Sequence, residues 1–461
     1  MFIGRKKELK ELKNRYDSNK FEMGIIYGQR RIGKSSLILR SLEGYEHFYF
    51  LGRPTTLKDN IDAFEYKINE FMNLPYLPHF NTFDEGLDAL IRYVDKRKFI
   101  IIIDELPFLA KVYPAIMSYL QGLVDRIIMS KLNIKIILSG SDVSFMMDIL
   151  KDSGKPLYQR STFQIHLKEL NYSDALLILD GMSNEDKIKS LAVFGNHPFY
   201  LGMIDTSLSF DKNIKRLCFD KYSILLDAPN LVLPLGWSTN GVYMNILKGL
   251  ANRKQKPKLL SDYLGIEQNA LATYLSRMME CGAIVKKETF NGNAKSVYYE
   301  ILDRFINIYF NIIDPNREKI EMGFGNEVYK SNSTIIEEEI SHGFELVVIS
   351  FMNELNYNNK LPSKYMPIQQ YKVDNSKLGR SIEIDGITES FDKNKLLVIE
   401  AKFRNKKISN EVLTHLKESA SIFNSYETID YYLFAKNSFT NELINLHEDN
   451  VHLITINDMI K

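Results

Sequence analysis

The sequence predicts an α/β chain. A parallel-sheet domain is expected over residues 1–170, a helical segment over 171–240 and a compact helix-helix-helix-hairpin module over 241–313. A polar linker over 314–335 and a second α/β unit over 336–461 complete it. Three observations carry this. Short apolar runs alternate with amphipathic stretches through the first 170 residues, the pattern of parallel strands covered by helices on both faces. The spacing over Tyr243–Tyr299 reads as three helices followed by a hairpin. A buried run, Leu396–Phe403, lies in the last segment after an acidic stretch and a turn.

Taking the elements in order, Met23–Tyr27, Phe48–Leu51, Phe99–Ile103 and Ile134–Leu138 are apolar runs of strand length. Lys58–Met72, Asp84–Lys96 and Ala115–Lys131 between them have helical spacing. From Asn171 to about Asn240 the pattern is mostly helical, with punctuation at Gly195–Pro198 and Pro229–Gly236. Tyr243–Leu250, Lys258–Leu264 and Gln268–Cys281 are the module's three helices. Ala283–Lys287 and Ser296–Glu300 flank a turn at Asn291-Gly-Asn293. Asp314-Pro315-Asn316 breaks the chain, and a polar stretch follows through Ser333.

The composition of the 461 residues excludes several classes. Hydrophobic residues at 45% and charged residues at 25% are those of a folded globular chain. A net charge of +1 excludes a uniformly basic nucleic-acid coat. That total hides unlike parts: 241–300 holds nine Lys/Arg against five Asp/Glu, or +4, while 336–461 sums to −5. Cys218 and Cys281 form no C-x-x-C or Cys/His cluster, so a reducing cytoplasm is the expected home. The N-terminus, MFIGRKKELK, lacks the apolar segment of a signal peptide, and no stretch approaches the roughly 20 apolar residues of a membrane helix.

Gly28-Gln-Arg-Arg-Ile-Gly33-Lys34-Ser35 fits G-x-x-x-x-G-K-[ST], directly after one strand and before the helix SSLILRSL. Backbone N–H groups across Gly28, Gln29, Arg30, Arg31, Ile32, Gly33, Lys34, Ser35 and Ser36 are expected to cradle phosphates, aided by the helix N-terminus. Lys34 reaches the β/γ-phosphates and the Ser35 hydroxyl ligates Mg²⁺ in this reading. Asp104, at the carboxyl end of the run Phe99–Ile103, is the expected second Mg²⁺ holder, and Glu105 the base or orienter for the attacking water. ATP and Mg are therefore the expected cofactors. Ser139 or Ser141, ending the next strand, is a γ-phosphate sensor candidate; a helix N-cap accounts for it equally well. Arg160 is a candidate for the positive charge on the transition state, against a surface or salt-bridge role.

The box Phe2-Ile-Gly4-Arg5-Lys-Lys-Glu8-Leu9 resembles the h-x-G-R-x-x-E-L box that precedes the P-loop in STAND and AAA+-related ATPases. GQRRIGKSSL, FIIIIDE, IILSGS and Gly195-Asn-His-Pro198-Phe-Tyr-Leu201 follow in the order of the archaeal-type ATPase family. The resemblance implies an ASCE-type P-loop NTPase domain with a helical lid over 171–240 and Arg5 near the adenine or ribose. It also implies that the Gly195–Pro198 turn packs the lid toward the nucleotide, which makes Pro198 a binding candidate. Taken alone, that turn is a helix stop followed by a Pro-initiated helix, and His197 a packed or capping histidine.

The module over 241–313 has the plan of a winged helix-turn-helix. Leu271, Leu275, Met278 and Met279 form the third helix's apolar face; Gln268, Asn269, Thr273, Ser276 and Arg277 fall on the other. Its early polar residues suit base edges in a major groove, and Lys286, Lys287 and Lys295 suit phosphates. An intramolecular packing role fits equally well.

In the last segment, Asp385 precedes the strand that carries Glu400, Ala401 and Lys402. Glu400 and Lys402 share a face. Asp385 and Glu400, with the Ala401 carbonyl, suit Mg²⁺, and Lys402 suits activation of water on a phosphodiester. The set resembles the PD-(D/E)XK nuclease core, in the version fused to archaeal-type ATPases, with Glu345 as its upstream acid and Ile where Pro commonly precedes the aspartate. It implies a restriction-endonuclease-like domain over 336–461.

The expected function is a Mg-dependent, ATP-hydrolysing STAND-like switch. It is coupled to the winged helix and to a nuclease-like output acting on nucleic acid. The alternative is a nucleotide-dependent DNA-binding regulator, or a signalling scaffold, with an inactive nuclease-like domain. ATP/ADP and DNA or another nucleic acid are the expected partners. An oligomer is compatible, and no membrane is involved.

Overall fold

The computed structural model describes residues 2–73, 78–288, 290, 297–373 and 379–460, and the chain falls into two compact units. The first holds residues 1–168 with the short segments 231–235 and 280–282. The second holds 169–230, 236–279 and 283–461, so the segments read as lid, three-helix module and C-terminal domain group together. Among the described residues no helix is long and apolar enough to cross a membrane.

In the first unit, β1 (Glu22–Tyr27), β2 (His47–Leu51), β3 (Phe99–Asp104), β4 (Ile134–Gly140) and β5 (Phe163–His166) form one parallel sheet in the order β2-β3-β4-β1-β5. Strands β1, β3 and β4 are buried along their whole length. This is why they read as continuous apolar runs rather than alternating ones. Helices Leu57–Met72, Phe83–Val94 and Ala115–Met129 share one core with the sheet, while Leu37 and Ile38 of Lys34–Ser41 join a second core with Leu12 and Tyr16. The strand order seats β4 between β1 and β3, so the loops after these three strands converge on one edge. Open α/β sheets bind ligands at such edges.

The second unit is built around a mixed sheet, with β8 (Gln369–Val373), β9 (Ile382–Glu389), β10 (Lys395–Lys402), β11 (Thr428–Ala435) and β12 (Val451–Thr455) in the order β12-β11-β10-β9-β8. Strands β8, β9 and β10 pair antiparallel, while β10, β11 and β12 pair parallel. The crossover from β10 to β11 carries helix Asn410–Ala420. Helices Gly241–Ala251, Pro257–Leu264 and Gln268–Glu280 match the expected three-helix module, followed by the antiparallel pair β6 (Ile284–Lys287) and β7 (Tyr298–Ile301). The expected turn at 291–293, and Lys295, lie outside the described residues. Phe290 sits in the core of the C-terminal sheet, edge-on to Phe423 at 5.7 Å.

The polar stretch over 314–335 is helical, with Arg317–Glu321 and Gly325–Ser331 burying Ile320 and Val328. It runs into the 25-residue helix Ser333–Tyr357, which carries Glu345. Its charged residues are the solvated faces of amphipathic turns.

Two buried charges cross-link this unit. The Arg304 guanidinium pairs with Glu339 at 2.6 Å and donates to the Ala192 carbonyl at 2.9 Å. Asp303 accepts from the Tyr200 hydroxyl at 2.9 Å and caps the next helix through the Ile306 N–H at 3.0 Å. Burial pushes the Asp303 carboxyl up to about 6.

Candidate phosphate and carboxylate sites

The loop after β1 is shaped by two glycines. A Cβ at Gly28 would stand 2.2 Å from the Leu167 carbonyl oxygen, so only glycine fits. Gly33 caps helix Lys34–Ser41 at φ 95°, a left-handed conformation that glycine adopts without strain. The amides of the loop and of that helix's first turn have no intrahelical acceptors, which leaves them for an anion. Lys34 is 5% exposed; its ammonium donates to the Gly28 carbonyl at 3.0 Å and the Gln29 carbonyl at 2.9 Å. Burial lowers its pKa, while Glu105 and Asp104 favour its charge.

Asp104, fully buried, is the hub. Its Oδ2 accepts from the Ser35 hydroxyl and the Tyr49 hydroxyl, both at 2.6 Å, and its Oδ1 from the Ser139 hydroxyl at 2.6 Å. The two expected Mg²⁺ holders thus touch. Hard oxygens of a hydroxyl and a buried carboxylate, next to an anion cradle, fit Mg²⁺. Sequence reading missed Tyr49. It sits in an ordinary alternating strand, and its role appears only once β2 pairs with β3 and Leu51 faces Asp104. Burial, then Asp104, raises the Tyr49 pKa and keeps it a donor.

Glu105 adopts φ 53°, left-handed for a non-glycine, and its carboxylate accepts from the Ser141 N–H at 3.0 Å and the Ser141 hydroxyl at 2.8 Å. The two serines therefore divide the work, Ser139 on Asp104 and Ser141 on Glu105. The helix N-cap is neither of them but Asp142, which accepts from the Phe145 N–H.

Arg5 grips backbone. Its guanidinium donates to the Lys168 carbonyl at 2.5 Å and the Ile32 carbonyl at 3.3 Å, tying the N-terminal box to the phosphate loop. Gln29 donates to the Gly282 carbonyl and Arg30 to the Leu233 carbonyl at 3.4 Å. Arg31 has φ 61°, Ile32 is buried, and Ser36 is exposed in the first helical turn. Arg160 forks onto Asp125, with two contacts of 3.1 Å, and also donates to the Pro156 carbonyl. These contacts are those of the salt-bridge alternative. Pro198 opens helix Pro198–Leu201 in the second unit, and His197 caps it by accepting from the Phe199 N–H.

The C-terminal carboxylates lie on paired strands. Asp385 of β9 is 7% exposed and accepts from the Ala401 N–H of β10 at 2.8 Å; Glu400 is 9% exposed. Lys402 stands 2.5 Å from Glu400 and 3.6 Å from Asp385. Burial, then Glu400 and Glu345, raises the Asp385 pKa well above the carboxylate range. Burial opposes the Lys402 charge, yet Asp385 and Glu400 raise its pKa. Among the described residues no three His, Cys, Asp or Glu side chains close into a metal-binding group. The pair Asp385 and Glu400 offers the hard oxygens that suit a divalent cation. Glu345 accepts from the Gln370 amide at 3.1 Å and contacts His342 at 3.1 Å. The hairpin lysines have carboxylate partners: Lys287 pairs with Glu300 and also donates to Gln370, and Lys286 pairs with Glu288 at the surface.

A phosphate loop, a buried acid at the end of β3 and a parallel sheet in this strand order define a P-loop ATPase domain. Residues 2–204 match a family described as an ATPase domain predominantly from Archaea, and residues 309–417 match one described as archaeal and bacterial proteins of unknown function. An uncharacterized protein of Methanocaldococcus jannaschii is 30% identical over 413 residues, which cover 88% of each chain. The present chain belongs to the same family as that protein. An uncharacterized ATP-binding protein of the same organism is 46% identical over 43 residues, 9% of this chain and 73% of its own length. A Walker-type ATPase of Pyrococcus abyssi shares the fold with a TM-score of 0.55 at 20% identity, over 68% of this chain and 96% of that one.

Proposed function

We propose that the chain is a Mg²⁺-dependent, STAND-like ATP switch whose winged helix and PD-(D/E)XK-like C-terminal domain form a nucleic-acid-directed output. The observation that carries the ATP reading is the hub at Asp104. One buried carboxylate gathers Ser35 of the phosphate loop, Ser139 of β4 and Tyr49 of β2, with Glu105 next to it. Amides of the loop bind the phosphates, and Lys34 places a positive charge on the β/γ oxygens. Ser35 and Asp104 would hold Mg²⁺, which neutralises charge developing on the phosphate oxygens. Glu105 orients water and takes its proton as the water oxygen bonds to the γ-phosphorus. The bond from that phosphorus to the β–γ bridging oxygen breaks, and ADP leaves with the electron pair. Ser141 holds Glu105 until the water is in place.

Mg-ATP turnover of wild type, Lys34→Ala and Glu105→Gln tests this. Loss by about 10² or more is expected in both variants; equal rates in all three would refute the assignment.

The output reading rests on Asp385, Glu400 and Lys402, two buried carboxylates bridged by one ammonium. In it, Asp385 and Glu400 would hold a divalent cation, and Lys402 orients water for attack on a phosphodiester. Metal-dependent cleavage of DNA and RNA panels by wild type, and its loss in Asp385→Ala, tests it; unchanged cleavage by Asp385→Ala would sink it. A second reading, a nucleotide-dependent DNA-binding regulator, is favoured by the exposed polar face of helix Gln268–Glu280, where Gln268, Asn269, Thr273 and Arg277 face solvent. Loss of duplex binding in Arg277→Glu would support it, and unaltered binding would count against it.

A further inference from the structure

Between the three-helix module and the C-terminal sheet, all within the second unit, lies a cavity of about 780 Å³. Its walls differ in kind. One is the loop joining the first two helices of the module, from which Arg253, Gln255 and Lys256 line the cavity. That loop, Arg253-Lys-Gln-Lys-Pro-Lys258, carries four positive charges in six residues, and all four basic side chains are exposed. It is fixed rather than loose: Arg253 holds φ 61°, and the Tyr299 N–H of β7 donates to the Gln255 carbonyl at 2.9 Å. The opposite wall is acidic and holds Glu345 and Asp385. Half-buried Tyr298 supplies ring surface, Tyr371 backs the wall from the core at 6% exposure, and Gln370 joins the two walls. Its amide accepts from Lys287 of the hairpin at 3.0 Å and donates to Glu345 at 3.1 Å.

The geometry points to a single-stranded nucleic-acid site, in which a strand end runs from the basic loop Arg253–Lys258 across the cavity to the carboxylates at Asp385. This rests on the carboxylate reading above and adds to it the class of substrate. Three features select that ligand. A cavity of about 780 Å³ falls within the roughly 300–1,000 Å³ of sites that enclose one compact ligand. A nucleotide or two fits it, whereas a duplex read by a docked helix presents a groove about 12 Å wide and needs an open surface. A basic rim with the Tyr298 ring behind it is the recognition chemistry of single strands, where the backbone meets cations and a base meets a π-face. The acidic floor repels phosphate except where a cation sits between them. A divalent cation held at Asp385 would be the point at which the sugar–phosphate backbone meets that wall.

The test uses the full chain with Ca²⁺ and fluorescein-labelled 15-mers of dT and rU, against a blunt DNA duplex of equal length. At least one single strand is expected to bind about tenfold or more tighter than the duplex. The double variant Arg253→Glu/Lys256→Glu should weaken that binding about tenfold or more. It should also flatten the log–log salt slope by about 1.4, the share of two phosphate contacts on a single strand. Both residues are exposed, and melting curves check that the variant is folded. Equal or preferred duplex binding, no binding of either strand, or unchanged affinity in the double variant overturns the inference. So does Arg277→Glu weakening binding more than the double variant, since that assigns the strand to the outward helix. Cleavage separates the two readings. If Asp385→Ala cleaves like wild type, the carboxylate reading fails while the binding result still decides the cavity. If cleavage depends on Asp385 but binding ignores Arg253 and Lys256, only the cavity inference fails.

Discussion

Asp303→Asn should stabilise the second unit, and only above acidic pH. The carboxyl is fully enclosed, accepts from the Tyr200 hydroxyl and the Ile306 N–H, and is pushed by burial from 3.8 to about 6. A folded pKa above the unfolded one means that the folded state binds the proton more tightly. The stabilisation is therefore complete below about pH 4 and is lost as pH rises toward 6. A shift of about two units corresponds to about 3 kcal/mol at neutral pH, an upper limit. Asparagine keeps a carbonyl for the Ile306 cap, and the Tyr200 hydroxyl can turn to accept from its amide. The assay is urea unfolding of wild type and variant from pH 4 to pH 8. The two should coincide at pH 4, separate between pH 4 and 6, and stay apart by about 1–3 kcal/mol above it at unchanged m. A variant no more stable than wild type at pH 8, or a gap that does not change with pH, refutes the reasoning.

Other outcomes follow from the same contacts. Tyr49→Phe removes one of the hydroxyls held by Asp104, and should cut ATP turnover about tenfold with little change in melting temperature. Unchanged kcat would deny the hub that member. Gly28→Ala should abolish nucleotide binding, read by a fluorescent ATP analogue, because the added carbon meets the Leu167 carbonyl at 2.2 Å. Arg160→Ala and Asp125→Ala should each cost about 1 kcal/mol or less and leave ATP turnover within about twofold. A hundredfold loss in Arg160→Ala alone would restore the transition-state role. Lys402→Met should destabilise the protein at neutral pH and less so in acid, since it strips the cation from two buried carboxylates. Equal destabilisation at pH 4 and 8, seen in melting scans, would show that the loss is packing alone.

What the sequence revealed depended on how local the signal was. The phosphate loop and the strands β1, β3 and β4 were legible because burial on both faces writes itself as unbroken apolar runs, and because loop chemistry fixes residue spacing. Asp385, Glu400 and Lys402 were legible because charge inside an apolar strand is costly and so conspicuous. Tyr49 was not, since its partner lies 55 positions away in a neighbouring strand. Arg160 gave no hint of Asp125, 35 positions earlier, and the helices Arg317–Glu321 and Gly325–Ser331 looked like linker because their polar faces outnumber Ile320 and Val328. The cavity rim and floor are more than 90 residues apart, from Arg253 to Glu345, and only the fold brings them together.

The position of Phe290 bears on how this chain can be divided. The residue belongs by sequence to the hairpin of the three-helix module, yet its ring completes the core beneath the C-terminal sheet with Tyr371 and Phe423. The helical chain runs on through Asp314 and Pro315, where the sequence suggested a break, and cutting it there separates no independent pieces. The N-terminal fragment would display a stranded aromatic, and the C-terminal fragment would carry a hole where that ring belongs. The hairpin and the sheet are one inheritance of packing, and any dissection of the protein has to keep them on the same side of the cut.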